Sequence, residues 1–382
     1  MKLWKVWSVF GMGSAALVGA LAYQAGCSSS PSGPLPGQPP VKPSGPVTTS
    51  TNVETFAVQK LLLGESDRTG TPSQSAWKSY GYNLDGKTTT KDSADVCTLH
   101  TGAPKQNQAD GTNGIDNSFG QVILPIIQTA ASLPTPSDTI SSAIDSGSFT
   151  IQVQVTGLDD TATQTATGLK GGLYASGAYD NGTPAFDSTT DWPVSPLLLN
   201  DPNDVTKGSK ISFSDAYVSN GTFVSGDLAA GGITVTISLV FQGVPLALSV
   251  NHAVITFDHT TANDAANGTI AGVINTEELI TGLKSVAGRI SASLCGSAFD
   301  GIADQIRQAS DIMANGSNAA GSPCDGISIG LGFVGKKIAN PTKIAASDAS
   351  APPDPCTSSG GDAGADTGTT GNDASSTDAS GD

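Results

Sequence analysis

The feature that most limits what this chain can fold into is an alternation of apolar and polar side chains between residues 233 and 241. Successive side chains of a β-strand point to opposite faces, so this pattern predicts a strand with one buried face. Residues 149–158 alternate in a similar way, and apolar runs at 210–224 and 246–257 indicate further strands. Asn-Gly pairs tolerate the positive φ of tight hairpin turns, and they lie in or between these runs at 181–182, 220–221 and 267–268.

Helical periodicity appears beside the predicted strands. Asn275 followed by Glu278 matches the start of a capped helix, and apolar side chains then recur at helical spacing as far as Ile290. Further helices are predicted at 119–131, 137–145 and 297–313. The sequence therefore predicts a mainly β, α+β fold: an antiparallel β-sandwich or curled sheet with two to four flanking helices.

The N-terminus has the pattern of an export signal. Two lysines precede an uncharged apolar stretch that ends at Cys27, and Ala25 and Gly26 stand directly before this cysteine. A lipoprotein signal peptidase cleaves in this context, and the pattern resembles the lipobox of bacterial lipoproteins, although Gln24 replaces the usual leucine. We expect residues 1–26 to be a signal peptide and Cys27 to carry the lipid. The alternative is an uncleaved helix that spans the membrane.

The expected anchor determines the expected location. Stable attachment to a membrane takes at least two acyl chains, and bacterial lipoproteins that resemble this chain carry three on the cysteine. Ser28, rather than aspartate, follows the cysteine, which in enteric bacteria directs a lipoprotein to the outer membrane. The prediction is a protein of the cell envelope, lipid-anchored in the outer membrane.

Composition sets the borders of the folded body. Residues 27–51 are rich in proline, glycine and serine, which predicts an extended tether. Residues 346–382 contain seven aspartates and no lysine or arginine, which predicts a disordered acidic tail. The region 52–345 between them is large enough for a single β-rich domain.

The chain has 34 acidic and 18 basic residues and a formal net charge of −16, so nucleic-acid binding is disfavoured.

Four cysteines remain after the lipidated one: Cys97, Cys295, Cys324 and Cys356. In an exported protein they indicate disulfides, and four cysteines allow three connectivities. Cys295 and Cys324 flank the helix predicted at 297–313, so we expect these two cysteines to be bonded to each other. The sequence contains no CxxC motif and no closely spaced cysteine–histidine set, which argues against a structural zinc site.

The stretch 324–337 contains motifs that imitate active-site loops. Residues 326–330 spell GxSxG around Ser328, but a nucleophile elbow needs a strand-to-helix turn and a later histidine, and no histidine follows His259. Residues 330–335 spell GxGxxG without the helix and the acidic residue that a dinucleotide site requires. The alternating apolar residues here predict an ordinary strand. We therefore predict no catalytic residue and a protein that is not an enzyme.

One loop offers ligands for a metal ion. Residues 107–117 hold side-chain oxygens at Asp110, Asn113, Asp116 and Asn117, with glycines that permit tight turns. Calcium takes roughly six to eight oxygen ligands, and the loop is similar to the DGxNGxD core of extracellular calcium loops, although glutamines replace its upstream acids. A metal-free turn is the preferred interpretation, because such side chains also bond to their own backbone. The prediction is no cofactor, or calcium held by these four residues.

Five stretches of the body stand out as a set: WKSYGYNLDGKTTTKDSADVC at 77–97, DGTNGIDNSFG at 110–120, NGTIAGVINTEEL at 267–279, FDGIADQIRQASDIM at 299–313 and ISIGLGF at 327–333. Together they resemble a family of uncharacterised predicted lipoproteins of myxobacteria and their relatives. The resemblance implies an outer-envelope lipoprotein and brings no known catalytic residues.

Three classes of function remain open. The preferred one is a non-catalytic binding or structural role for a lipid-anchored envelope protein with an unidentified envelope or surface partner, because no histidine, cysteine or carboxylate set converges. A carrier of an apolar ligand or lipid is the first alternative, since residues 233–257 are unusually apolar. A carboxylate-based secreted hydrolase is the second. A deep cavity, and the side chains that line it, would separate the three.

Overall fold

The computed structural model describes residues 37–130, 135–241, 244–290, 292–346 and 356. The strands are β1 (Val53–Leu62), β2 (Ile151–Thr156), β3 (Ala166–Ala175), β4 (Leu199–Asp201), β5 (Asp204–Ser209), β6 (Ile211–Ser219), β7 (Thr222–Val224), β8 (Ile233–Phe241), β9 (Val244–Thr261), β10 (Asp264–Asn275) and β11 (Gly326–Ile338). The α-helices are α1 (Leu124–Ala130), α2 (Pro136–Asp145), α3 (Thr276–Ile290) and α4 (Ser297–Gln308).

Eight strands close into an antiparallel barrel. Their order around the ring is β1, β2, β3, β6, β7, β9, β10 and β11, and β11 then pairs with β1. The closing pairs join residues far apart in the sequence: Thr55 lies opposite Ile338, and Asn275 lies opposite Gly326. The predicted sandwich or curled sheet is therefore wrong. The alternation behind that prediction shows only that each strand has one buried face, and it contains no information on whether the two edges of a sheet meet.

Strand β9 is long enough to pair with β7 in the ring and also with β8 outside it. Its second half pairs with β7, where Phe223 lies opposite Phe257. Its first half pairs with β8, where Ile237 lies opposite Leu248. The β8–β9 hairpin therefore extends beyond the ring, and α3 covers part of it, since Leu248 lies beside Gly282.

The helices lie close to their predicted positions. Oδ1 of Asn275 accepts hydrogen bonds from the backbone N–H groups of Glu277 at 3.0 Å and Glu278 at 3.1 Å, so it caps α3 as predicted. Helix α4 ends earlier than the predicted residue 313. The chain turns back to the barrel there, because the backbone of Ile312 pairs with that of Gly326.

Aromatic rings fill the interior of the barrel. Phe56 of β1 and Phe257 of β9 come from strands that are not neighbours in the ring, yet their ring centroids are 5.2 Å apart. Phe223 stacks on Phe257 at 4.7 Å, and Phe213 contacts Phe223 at 5.7 Å. Each of these four side chains is at most 4 % exposed. Burial of these rings with the surrounding aliphatic side chains stabilises the closed ring.

Residues 37–51, the described part of the predicted tether, contact the barrel. The hydroxyl of Tyr217 donates to the carbonyl of Pro40 at 2.6 Å, and Lys42 forms an ion pair with Asp215 at 2.6 Å. A proline-rich segment leaves its backbone carbonyls without internal partners, and here side chains of the body supply donors. The segment is thus attached along the body from residue 37 onward.

Other predicted segments lie outside the described residues. These are the signal peptide at 1–26, the lipidation site Cys27, the first part of the tether, and the tail from residue 347 apart from Cys356. Within the described ranges, no helix combines the length and apolar character needed to cross a membrane.

Candidate functional site

Two loops, 82–90 and 110–117, are held face to face by hydrogen bonds that involve acidic side chains. At one end, the backbone N–H of Leu84 donates to Oδ2 of Asp116 at 2.7 Å. The backbone N–H of Asp116 in turn donates to the carbonyl of Tyr82 at 3.0 Å. Asp116 is 3 % exposed, so its carboxyl group is buried between the loops.

Asp110 is held in a similar way at the other end of the loops. The backbone N–H of Thr89 donates to its carboxylate, and its own N–H donates to the carbonyl of Thr89 at 3.1 Å. The neighbouring carboxyl group of Asp116 also affects its pKa. The structure thus brings together two of the four residues predicted to bind calcium.

Burial dominates the electrostatics of this acidic pair, Asp110 and Asp116. Desolvation raises the pKa of Asp110 to about 7, with the hydrogen bond from Thr89 opposing the rise and the charge of Asp85 adding to it. Desolvation also raises the pKa of Asp116 well above its ordinary value, and repulsion from Asp85, Asp110 and Asp311 raises it further. Among the described residues, no ion pair includes either member of the acidic pair. Two carboxyl groups this close keep at least one proton between them near neutral pH.

The other two predicted calcium ligands have different positions. Oδ1 of Asn117 accepts from the N–H groups of Gly120 and Gly330 at 3.0 Å each, and its amide nitrogen donates to three carbonyl oxygens. Both lone pairs of that oxygen are therefore used within the fold. Asn113 is exposed and has a left-handed φ of 59°, so it forms the outer turn of its loop. Only Asp110 and Asp116 remain as candidate ligands from the predicted set.

A third carboxyl group, that of Asp311, holds the serine of the GxSxG motif. Ser328 lies within β11, and its backbone N–H and hydroxyl donate to Asp311 at 2.9 Å and 2.5 Å. The same hydroxyl accepts from the N–H of Ser118 at 2.8 Å. Desolvation raises the pKa of Asp311 to about 7, although the hydrogen bonds from Ser328 oppose the rise. Ser328 is a buried residue of an ordinary strand, as predicted.

Two buried oxygens beside the acidic pair have no hydrogen-bond partner. They are Oδ1 of Asn83 and Oγ1 of Thr89, on residues that are 8 % and 5 % exposed. Within the parts of the chain that the structure describes, no three histidine, cysteine, aspartate or glutamate side chains form a group able to hold a metal ion. An ion between the loops would therefore need a mixed set of carboxylate, amide and other oxygens.

The disulfides differ from the predicted pairing. Cys97 is bonded to Cys324, and Cys295 is bonded to Cys356. The predicted Cys295–Cys324 bond is therefore wrong. Cys324 runs beside the segment that follows Cys97, because its backbone N–H donates to the carbonyl of Thr98 at 3.0 Å. Two cysteines that flank a helix in the sequence need not meet, since the chain beyond the helix takes its path from the barrel.

Three residues of this region, Asn83, Asp85 and Asp311, were not predicted from the sequence. Asn83 and Asp85 belong to an Asn-Leu-Asp-Gly run at 83–86, whose composition is like that of the selected loop, so a signal for them was present. Asp85 accepts from the amide of Asn318 at 2.9 Å, and Asn318 accepts from the N–H of Cys97 at 2.6 Å. Asp311 had no local signal, because only the fold brings it near the other acids.

The five stretches that resemble the lipoprotein family meet in this region. Four of them contain a residue described above, namely Asn83, Asp110, Asp311 or Ser328. In the fifth, Thr276 is hydrogen-bonded to Ser310 at 2.7 Å, next to Asp311. No protein-family model, curated protein or solved structure matches this chain. The family resemblance therefore stays a prediction.

A separate surface cavity of about 540 Å³ opens between the loop that follows β1 and the helices α1 and α2. Its walls include Glu65, Trp77, Gln121 and Asp138. Glu65 accepts from the backbone N–H and the hydroxyl of Ser137 at 2.7 Å and 2.8 Å, so it fixes the first turn of α2. Carboxyl and amide groups beside an aromatic ring suit a polar ligand better than an acyl chain.

Proposed function

We propose that this chain is a lipid-anchored protein of the cell envelope, located in the outer membrane, with a non-catalytic binding or structural role. The anchor is proposed from the N-terminal pattern that ends at Cys27, which lies outside the described residues. The functional part rests on one observation, the filled interior of the barrel. A filled barrel is a scaffold, and its partner must then bind to the outer surface, where the 540 Å³ cavity lies.

The filled interior weighs against a carrier of apolar ligands. A barrel of about eight strands that carries a ligand keeps its interior free for that ligand, whereas here Phe56 and Phe257 meet across the interior with ring centroids 5.2 Å apart. Another apolar space lies among α1, α3 and α4, lined by residues that include Ile127 and Phe299. Its volume of about 40 Å³ is too small for an acyl chain.

The burial of the acidic pair weighs against a carboxylate-based hydrolase. Such enzymes place two carboxyl groups on either side of a scissile bond in an open cleft. Asp116 is 3 % exposed, and its carboxylate accepts a hydrogen bond from the backbone of Leu84. A substrate bond has no access to an acid in this position. We therefore assign Asp110 and Asp116 to binding or stability rather than to catalysis.

The anchor is tested by metabolic labelling with an alkyne analogue of palmitate. The parent chain should incorporate the label, and the Cys27→Ala variant should lose it and accumulate with its signal peptide, because the acyl chains are attached to this thiol. A Cys295→Ala variant is the control, since it also lacks one cysteine and should keep the label. Equal labelling of the parent and the Cys27→Ala variant would contradict the anchor.

The scaffold role is tested by native mass spectrometry of the detergent-purified lipoprotein. We expect the mass of the acylated chain with no further apolar adduct, because the rings of Phe56, Phe223 and Phe257 contact one another in the interior. The Phe257→Ala variant is the positive control, since loss of this ring leaves an apolar cavity that small apolar probes can enter. A lipid bound in a one-to-one ratio to the parent chain would favour the carrier instead.

A further inference from the structure

We propose that loops 82–90 and 110–117 enclose a calcium site, in which Asp110, Asp116 and Asn83 supply side-chain oxygens. The site goes beyond the proposed envelope role and does not depend on it. It also differs from the site predicted from the sequence, which was a single loop, because half of its enclosure comes from residues 82–90.

The position of the Asn83 amide is the first argument. Its nitrogen donates to the carbonyl of Lys87 at 2.6 Å, and it lies 2.5 Å from the point that a Cβ on Gly114 would occupy. The amide is therefore inserted between the two loops. Oδ1 is attached to the same carbon as this nitrogen, and it is buried without a partner. A buried carbonyl oxygen without a donor is unfavourable, and a cation is the kind of partner that would satisfy it.

The charge of the enclosure is the second argument. Asp116 and Asp110 accept hydrogen bonds from the backbone N–H groups of Leu84 and Thr89, so both carboxyl groups face loop 82–90. The cationic side chain on these loops, Lys87, forms its ion pair with Asp95 instead. Among the described residues, neither Asp110 nor Asp116 forms an ion pair, and a divalent ion would supply positive charge between the two loops.

The donor set selects the ion. Carboxylate, amide and hydroxyl oxygens are hard ligands that suit calcium, while zinc and copper prefer imidazole or thiolate groups. Magnesium demands near-ideal octahedral geometry and gives up its water slowly, whereas calcium accepts irregular sets of oxygens. Only two of the three proposed ligands carry formal charge, so we expect a dissociation constant of roughly 0.1–1 mM, as in extracellular calcium modules.

The test is a thermal melt of the full-length protein in calcium against chelator. At about 10 mM calcium the melting temperature should rise by about 2–4 °C, and magnesium at equal concentration should raise it less. Equilibrium dialysis should give about one calcium ion per chain over the same concentration range. A melting temperature that calcium leaves unchanged would overturn the proposal and would identify the acidic pair as two carboxyl groups that share a proton.

Two variants assign the ligands. The Asp110→Asn, Asp116→Asn double variant should lose the calcium response. The Asp67→Asn, Asp187→Asn double variant removes the same charge from exposed turns, where each aspartate bonds to a threonine two residues later, and should keep the response. The Asn83→Ala variant retains both carboxylates and should bind calcium about ten-fold more weakly. An unchanged response in the first variant, or an unchanged affinity in the last, would overturn the assignment.

Discussion

Replacement of Cys97 and Cys324 by alanine is expected to lower the free energy of unfolding by about 5 kcal/mol. The two cysteines lie 227 residues apart, and a bond that closes so long a loop removes much conformational freedom from the unfolded chain. In the folded state it joins the segment after loop 82–90 to the start of β11. Urea unfolding under non-reducing conditions, followed by circular dichroism, measures the loss.

The matched control is the Cys295→Ala, Cys356→Ala variant. This bond spans 61 residues, so its removal should cost about 1 kcal/mol less on the same chain-entropy reasoning. Peptide mapping checks the pairing directly, because a lysine or arginine separates every two of the four cysteines and trypsin places each on its own peptide. A linked peptide that contains Cys295 and Cys324 would contradict the observed connectivity.

The free energy of unfolding is expected to fall as the pH rises from about 4 to 7, and Asp311→Asn should remove the part of that fall that Asp311 contributes beside Asp110 and Asp116. The pKa of Asp311 is about 7 in the folded chain against an ordinary value of 3.8. Between these two values the unfolded chain gives up a proton that the folded chain keeps, so rising pH favours unfolding. The loss over the whole window is on the order of a few kcal/mol.

The measurement is a series of denaturant titrations between pH 4 and pH 8. The stability that depends on Asp311 is complete below the ordinary pKa of an aspartate and is lost by the folded pKa, so the difference between the parent and Asp311→Asn curves should level off above that value. Asp67→Asn is the control. Its pKa is lowered by hydrogen bonds, the largest from Thr69, so its effect on stability changes only at lower pH. An Asp311→Asn curve parallel to that of the parent would contradict the prediction.

Local interactions explain the parts of the fold that the sequence predicted. The alternation at 233–241 coincides with β8, and Asn275 caps α3 with its own side chain. The Asn-Gly pair at 220–221 forms the turn between β6 and β7, with φ of 49° and 81°. The pair at 267–268 lies instead where the pairing of β10 with β11 shifts its register. An Asn-Gly pair thus indicates positive φ, but the neighbouring strand decides whether that residue turns the chain or forms a bulge.

The candidate site was predictable only in part. The density of Asx and Gly residues pointed to Asp110 and Asp116, because calcium loops and tight turns both need such residues close together. Asp311 lies about 200 positions further along the chain than Asp110. It comes close to the other acids only because it packs against β11. Asn117 was misassigned, since its amide is taken up by the backbone of β11 and its neighbours.

The sequence by itself determined the positions of β2, of β6 to β9 and of most helices, and that the C-terminal GxSxG stretch is an ordinary strand, whereas β1, β3, β4, β5 and β10 were not predicted. Each of these depends on neighbours within a few residues, through the alternation of side chains or through a cap. Only the tertiary structure decided that the sheet closes, that Phe56 and Phe257 meet inside it, and that Cys97 pairs with Cys324. Closure depends on the twist, register and packing of many strands that are distant in the sequence. No local sequence pattern therefore predicts it.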